Sequence, residues 1–287
     1  MKQKNVRIVM MAVLMVVAAW LIQAGIASAE IKFGILPRLS AQEMHKMFDP
    51  LAEYLTKETG EKVTIEVTKD FASYKDAVQA GQFDLGFSNP IIYVQLKQST
   101  ALVPLALSAE KKAGTRFRGV IIARKDSGIE KAQDLKGKKL IFVDEDSAAG
   151  YIFQMLLLSK AGMDVNKDFT RLPFAKKHDN VTMAVFNKAA DAGGIREDDL
   201  DKMKDKVDLS AMRVVAYTDY FPNWPVYATP KLNKNTADKI RAALMKLKPN
   251  DAASEAVVGA ANLTGFVAVS DKDYDLLRQA AKLVGAL

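Results

Sequence analysis

The amino-acid sequence contains no cysteine and only two histidines in 287 residues. The absence of thiols excludes disulfides, cysteine-based catalysis and thiolate zinc sites, so the hydrophobic core must supply the stability of the fold. It also removes the thiol through which a lipid could anchor an exported protein to a membrane. We therefore expect no metal ion and no cofactor in this protein.

The sequence also lacks the short motifs that mark common enzymes, namely a nucleophile elbow, a phosphate-binding P-loop and a dinucleotide fingerprint. The net charge is +7, but basic and acidic residues are interspersed and form no basic cluster of the kind that binds nucleic acid. The densest acidic run, residues 196–201, is typical of a solvated helix start. We therefore expect a protein that is not an enzyme and does not bind nucleic acid.

The N-terminus has the three parts of a secretory signal. Positive residues at 2–7 precede an apolar run over 8–26, and the small residues of 27–29 follow it. We predict a signal peptide over 1–29, cleavage after Ala29 and a soluble protein in the periplasm. An alternative is that the apolar run stays in place as a membrane anchor, since its length approaches that of a membrane span.

Beyond residue 30 the hydrophobic pattern alternates between short strands and helices, which predicts an α/β protein with parallel sheets. Ser40 and Glu43 have the spacing of a capping box, and Gly60 is placed to end the same helix. The alternation restarts near residue 116, and a helical tail follows residue 235. We predict two lobes, one built from 30–115 and 222–287 and the other from 116–221, with the ligand between them.

Three predicted junctions between a strand and a helix carry small, polar or histidine residues. Ser147, followed by small residues at 148–150, could cap a helix whose first N–H groups face an anion, or it could be an ordinary cap. His178 could donate a hydrogen bond to an oxyanion or could be a solvated histidine. Ser88 and Asn89 could contact the same ligand or simply form a turn.

In order and spacing, these junctions and several further segments are similar to one family over nearly the whole mature chain. The segments are 34–37, 50–55, 70–93, 116–119, 134–137, 146–150 and 178–179. The chain resembles the phosphate, phosphite and phosphonate substrate-binding proteins of ABC transporters, which have the type II periplasmic binding protein fold. The resemblance implies a two-lobed α/β protein with a ligand cleft between its lobes.

The resemblance also implies which residues bind the ligand. The family's Ser-Thr-Ser-Gly turn, which grips phosphoryl oxygens, falls on 147–150, and here it has alanine at its second and third positions. An aromatic residue that is often tyrosine in the family is phenylalanine here. The acidic pair that takes up the amine of an aminophosphonate has no clear counterpart. The implied ligand-binding residues are Ser147, Ala148, Ala149, Gly150, His178, Phe71, Ser88, Asn89 and Tyr93.

These observations predict a monomeric periplasmic protein that captures a small phosphorus oxyanion by closing its lobes and delivers it to an ABC transporter permease. An alternative of a different class is a sensing subunit that presents a small anion to a membrane signalling protein. An enzyme on the same fold is a third class, and the absence of a nucleophile, base or metal constellation argues against it.

Overall fold

The computed structural model describes residues 30–287, so the predicted signal peptide lies outside the described residues. The strands are β1 (Ile31–Ile35), β2 (Val63–Val67), β3 (Leu85–Phe87), β4 (Val103–Glu110), β5 (Arg116–Phe117), β6 (Gly119–Arg124), β7 (Lys139–Ile141), β8 (Thr170–Arg171), β9 (Ala192–Arg196), β10 (Met212–Tyr217), β11 (Phe221–Pro222), β12 (Pro225–Ala228) and β13 (Leu263–Val267). The α-helices are α1 (Ala41–Thr59), α2 (Phe71–Gln79), α3 (Pro90–Leu96), α4 (Phe153–Lys160), α5 (His178–Phe186), α6 (Glu197–Asp201), α7 (Lys234–Lys246), α8 (Ala252–Val258) and α9 (Asp275–Leu283). Within residues 30–287, no helix combines the length and hydropathy that a membrane span requires.

The strands form a six-stranded sheet, ordered β13-β4-β12-β3-β1-β2, and a five-stranded sheet, ordered β10-β6-β9-β7-β8. We call each sheet, with the helices that follow its strands, the first and the second lobe. The predicted parallel pairing holds for β1, β2 and β3 and for β7, β8 and β9, but both sheets are mixed. Strands β12 and β13 are antiparallel to their neighbours in the first lobe, and β6 is antiparallel to β9 in the second. Strand β6 begins where the chain enters the second lobe, and β12 begins where the chain returns to the first lobe. Each of these strands therefore starts at the edge of its sheet where the neighbouring strands end.

The chain passes between the lobes through β5 and β11, which pair antiparallel as a separate two-stranded ribbon. The ring of Phe221 in this ribbon stacks on Phe153 of α4, with centroids 3.8 Å apart. Both strands lie at the predicted boundaries between the lobes, near residues 116 and 222, and the exact lobe boundaries remain a prediction.

Helix α1 begins and ends where the sequence predicts. The Ser40 hydroxyl accepts from the backbone N–H of Glu43, and the Glu43 carboxylate accepts from that of Ser40, which completes the capping box. Gly60 takes the left-handed conformation, with φ of 76°, and its N–H donates to the carbonyl of Thr56. The apolar face of α1, with Met44, Phe48 and Leu51 fully buried, packs into the core of the first lobe.

Candidate functional site

The carboxyl ends of the central strands of the two lobes face one another. In the first lobe, β1, β2 and β3 are parallel and end at the same edge. In the second lobe, β7, β8 and β9 are likewise parallel. The Asn89 side-chain amide, just after β3, donates to the carbonyl oxygen of Asp146, beyond β7, at 3.2 Å. The loops that follow these strands therefore line one cleft, where helix N-termini point at a ligand.

The turn from Ser147 to Gly150 opens a helix on the second-lobe side of this cleft. Ser147 is its N-cap, and the Ser147 hydroxyl accepts from the backbone N–H of Gly150 at 3.1 Å. A π-helical turn, Ala148–Ile152, comes first and leads directly into α4, so the prediction of a regular α-helix from Ser147 is corrected in its first turn. The N–H groups of Ala148 and Ala149 have no acceptor within residues 30–287, although both residues are buried.

Gly150 fixes this turn against the end of β7. A Cβ atom on Gly150 would lie 2.5 Å from Cγ2 of Val143 and 2.6 Å from the Ser147 hydroxyl oxygen. The N–H of Val143 donates to the Gly150 carbonyl at 3.1 Å, which joins the turn to the segment after the strand. Glycine is therefore required here by close packing, and the first-turn N–H groups are held in a fixed direction.

His178 lies at the start of α5, and one of its two ring nitrogens already forms a hydrogen bond within the protein. Its Nδ1 accepts from the backbone N–H of Arg196 at 3.0 Å, so the proton of the neutral ring lies on Nε2. Burial lowers the pKa of His178, the Arg196 and Lys202 charges lower it further, and Asp199 opposes them. At neutral pH the imidazole is therefore uncharged and presents Nε2–H as a donor.

The lowered pKa of His178 predicts a pH-dependent loss of stability. Below the ordinary histidine pKa of about 6.5, the unfolded chain takes up a proton that the folded protein binds less readily, so the free energy of unfolding falls as the pH decreases toward the folded-state pKa. We expect His178→Gln to lose less stability than the wild type between about pH 7.5 and 5.5 in urea unfolding. His45→Gln, at an exposed histidine on α1, is the control. Equal losses in wild type and His178→Gln would contradict this assignment.

The four predicted ligand-binding residues of the first lobe differ in how close they lie to the cleft edge. Ser88 and Asn89 lie at the cleft edge; Ser88 is fully buried, and Asn89 caps α3 through its side-chain oxygen, 3.0 Å from the N–H of Ile92. Phe71 is the first residue of α2 and packs partly against the core. The structure does not direct the Tyr93 hydroxyl to this edge, because it donates to Asp271 at 2.8 Å.

The surroundings of Tyr93 explain its direction. Its ring centroid lies 5.4 Å from that of Tyr227 and 5.0 Å from that of Tyr274, inside the first lobe. Burial and the hydrogen bond to Asp271 both raise the pKa of Tyr93. Tyr93 is thus a packed residue whose polar atom already has a partner.

Asp146 connects the turn at Ser147 to the first lobe. Its carboxylate accepts from Lys75 Nζ and from the Gln95 side-chain amide, each at 2.7 Å. With the bond from Asn89 to its carbonyl, three first-lobe side chains bind this one residue. Because Asp146 immediately precedes Ser147, these bonds set the position of the anion-facing turn relative to the first lobe.

Two arginines at the cleft were not recognised as site residues in the sequence. Arg38 follows β1 and is exposed; its guanidinium lies 5.3 Å from the Trp224 ring and donates to the carbonyl of Ala261 at 3.3 Å. Arg196 ends β9, and its guanidinium pairs with Glu110 of the first lobe and with Asp198. The sequence signal available for Arg38 was its position as a single charged residue just after a predicted strand, where ligand-binding residues lie in such sheets.

The acidic run after Arg196 is a helix start, as the sequence indicates, but it is only partly solvated. The side chains of Arg196 and Asp199 keep 12% and 16% of their surface exposed, which contradicts the interpretation of the whole run as a solvated face. Within residues 30–287, no group of three or more histidine, aspartate or glutamate side chains is arranged to hold a metal ion.

Comparison with known proteins gives a family match over most of the chain. Residues 33–274 match the family described as ABC transporter, phosphonate, periplasmic substrate-binding protein. The phosphate-import protein PhnD of Mycolicibacterium smegmatis is 27% identical over 277 residues, covering 89% of this chain and 86% of that protein. The tetrathionate sensor histidine kinase TtrS of Salmonella typhimurium is 28% identical over 228 residues, which cover 74% of this chain and 38% of the kinase.

A solved structure has the same fold. PhnD1 from Prochlorococcus marinus, in complex with methylphosphonate, superposes with a TM-score of 0.72 at 16% identity, covering 90% of this chain and 99% of that one. The chain has the type II periplasmic binding protein fold, with the ligand cleft between its two lobes. Given the match over residues 33–274, the chain belongs to the family of periplasmic substrate-binding proteins of phosphonate ABC transporters.

Proposed function

We propose that this protein captures a small phosphorus oxyanion (phosphate, phosphite or a phosphonate) in the cleft and delivers it to an ABC transporter permease. The second lobe binds the anion through the hydroxyl of Ser147, the free N–H groups of Ala148 and Ala149, and Nε2–H of His178, with Gly150 holding the turn. Ser88 and Asn89 frame the first-lobe wall beside Phe71. The mature chain acts as a monomer in the periplasm after cleavage at Ala29.

One observation carries this proposal: the unpaired N–H groups of Ala148 and Ala149 at the start of a helix whose residues are buried. A buried donor without an acceptor is costly, and an anion placed at a helix N-terminus removes that cost. The alanine side chains offer no hydroxyl to satisfy these donors from within the protein. The site therefore favours a ligand with several acceptor oxygens.

The donors named here are uncharged, apart from the partial charge of the helix end. On the second lobe, a neutral imidazole and backbone N–H groups therefore attract an anion without forming an ion pair with it. Binding of this type supports capture and release, which a transport protein requires. Family membership supports the periplasmic location and the permease partner.

Calorimetric titration of the purified mature protein with phosphate, phosphite, methylphosphonate and sulfate tests the proposal. We expect at least one phosphorus oxyanion to bind more tightly than sulfate, and X-ray scattering to give a smaller radius of gyration at saturation, because both lobes contact the ligand. If none of the phosphorus oxyanions binds, the proposed function is wrong. If one binds with no change in radius, the closing mechanism is wrong.

A second candidate function is sensing, since the chain is 28% identical to a tetrathionate sensor kinase over 74% of its own length. In that case the loaded protein would present its anion to a membrane signalling protein instead of a permease. Deletion of the gene separates the two, because a transport role predicts loss of uptake of the bound oxyanion. Normal uptake with a lost transcriptional response would favour sensing.

A further inference from the structure

Three carboxylates near the cleft are already paired with cations of the chain. Those that act electrostatically on Arg38 or His178 are Glu110, Asp199 and Asp179. Glu110 accepts from both terminal nitrogens of Arg196, Asp199 lies 2.5 Å from Lys202 Nζ, and Asp179 lies 2.5 Å from Lys206 Nζ. None of the three is therefore without a cationic partner.

This pairing matters for a ligand that carries an ammonium group. An ammonium placed against Glu110 would also face the guanidinium of Arg196, and one placed against Asp199 would face Lys202. Both arrangements bring like charges within a few ångströms in a partly buried site, which is unfavourable. The Glu110 and Arg196 side chains are only 9% and 12% exposed, so displacing Arg196 would leave a buried charge unpaired.

Unlike these carboxylates, the guanidinium of Arg38 has no partner of opposite charge among residues 30–287. Within residues 30–287 it forms no ion pair, its polar partner is the Ala261 carbonyl, and it stays exposed. Its neighbours in the cleft displace water and lower its pKa, and the positive charge of Arg196 acts in the same direction, although an arginine remains charged. Arg38 therefore carries a positive charge that no carboxylate among residues 30–287 pairs with.

The position of Arg38 is fixed from both sides of its loop. Before it, the N–H of Leu36 donates to the carbonyl of Phe87 at 2.9 Å; after it, Ser40 caps α1. Arg38 follows β1, at the edge of the first lobe that faces the second, and it shares Asp199 and Arg196 as electrostatic neighbours with His178.

We propose that the ligand is an oxyanion without an ammonium group and that Arg38 binds it from the first lobe. This inference rests on the proposed function and specifies its substrate class. A guanidinium offers a planar pair of N–H donors that matches two oxygens of a phosphoryl group. The guanidinium of Arg38 would then bind the anionic head of the ligand, while Glu110, Asp199 and Asp179 are already paired with cations and do not favour an amine.

Two measurements test this assignment. The first compares ethylphosphonate with aminomethylphosphonate, which has nearly the same shape but carries an ammonium group. We expect the wild type to bind aminomethylphosphonate more weakly than ethylphosphonate. Equal or tighter binding of aminomethylphosphonate overturns the proposal.

The second measurement uses Arg38→Gln, titrated with the oxyanion that the wild type binds most tightly. We expect a loss of affinity of about tenfold or more, the size of one charge-assisted contact, and a smaller loss for Arg38→Lys. Arg213→Gln is the matched control, since it removes the same charge at the start of strand β10, where Arg213 pairs with Glu130 away from the cleft. Thermal melting of each variant shows that it is folded.

The failures can be told apart. If Arg38→Gln binds like the wild type while an oxyanion still binds, the role of Arg38 is wrong and the proposed function stands. If the wild type binds no oxyanion, the proposed function is wrong and this inference fails with it.

Discussion

Ser147→Asp should reduce affinity for the bound oxyanion at least about hundredfold, or ~2.8 kcal/mol. The substitution places a carboxylate at the N-cap, where it can accept from the N–H of Gly150 as the Ser147 hydroxyl does. The new negative charge then lies where the ligand's oxygens must sit, and it competes for the free N–H groups of Ala148 and Ala149. Calorimetry with the best oxyanion measures the loss.

Ser147→Asn is the matched control for that variant. Asparagine has the size and capping ability of aspartate without its charge, so the helix start is preserved in both. We expect Ser147→Asn to bind much more tightly than Ser147→Asp, with both variants folded. Similar affinities in the two variants would show that charge at this position is irrelevant and that the anion binds elsewhere.

His178→Ala should cost more than about tenfold in affinity, or ~1.4 kcal/mol. The variant removes the Nε2–H donor and also frees the N–H of Arg196, which loses its acceptor on Nδ1. A hydrogen bond to a charged ligand is worth about 1.5–3 kcal/mol, which sets the expected size. Titration calorimetry at about pH 7.5, where the ring is neutral, measures the effect.

His45→Ala is the control for this variant, because the chain has only these two histidines. The His45 ring is exposed and hydrogen-bonds to Asp49, one turn further along α1. We expect its removal to leave affinity unchanged. If His178→Ala and His45→Ala bind alike, the second lobe does not use this imidazole.

The local features of the fold could be predicted from the sequence because they depend on neighbouring residues. The capping box of Ser40 and the left-handed Gly60 are set within a few positions of the chain, and both are confirmed. The small residues at 148–150 likewise mark a helix start from local chemistry alone. Such features need no knowledge of which strands become neighbours.

Strand direction could not be predicted in the same way. Strand β12 is antiparallel to both β3 and β4 because the chain re-enters the first lobe at the edge that faces the second. Hydrophobic alternation is the same in parallel and antiparallel strands of this length, so the pattern carries no direction. The path of the whole chain decides it.

The candidate site shows a similar division. Ser147 and His178 were accessible from the sequence because each lies at a junction between a strand and a helix. The partners of other residues are distant in the chain: Arg196 pairs with Glu110, and the hydroxyl of Tyr93 donates to Asp271. A charged or aromatic residue does not reveal such a partner, so the sequence did not indicate that the hydroxyl of Tyr93 is already hydrogen-bonded inside the first lobe.

A crystal structure of the mature protein with its tightest-binding oxyanion tests the central claim most directly. The measured quantities are the distances from the ligand oxygens to the backbone nitrogens of Ala148 and Ala149 and to Nε2 of His178. We predict that all three lie within about 3.2 Å of a ligand oxygen. An ordered ligand bound elsewhere, with these three nitrogens untouched, would contradict the account.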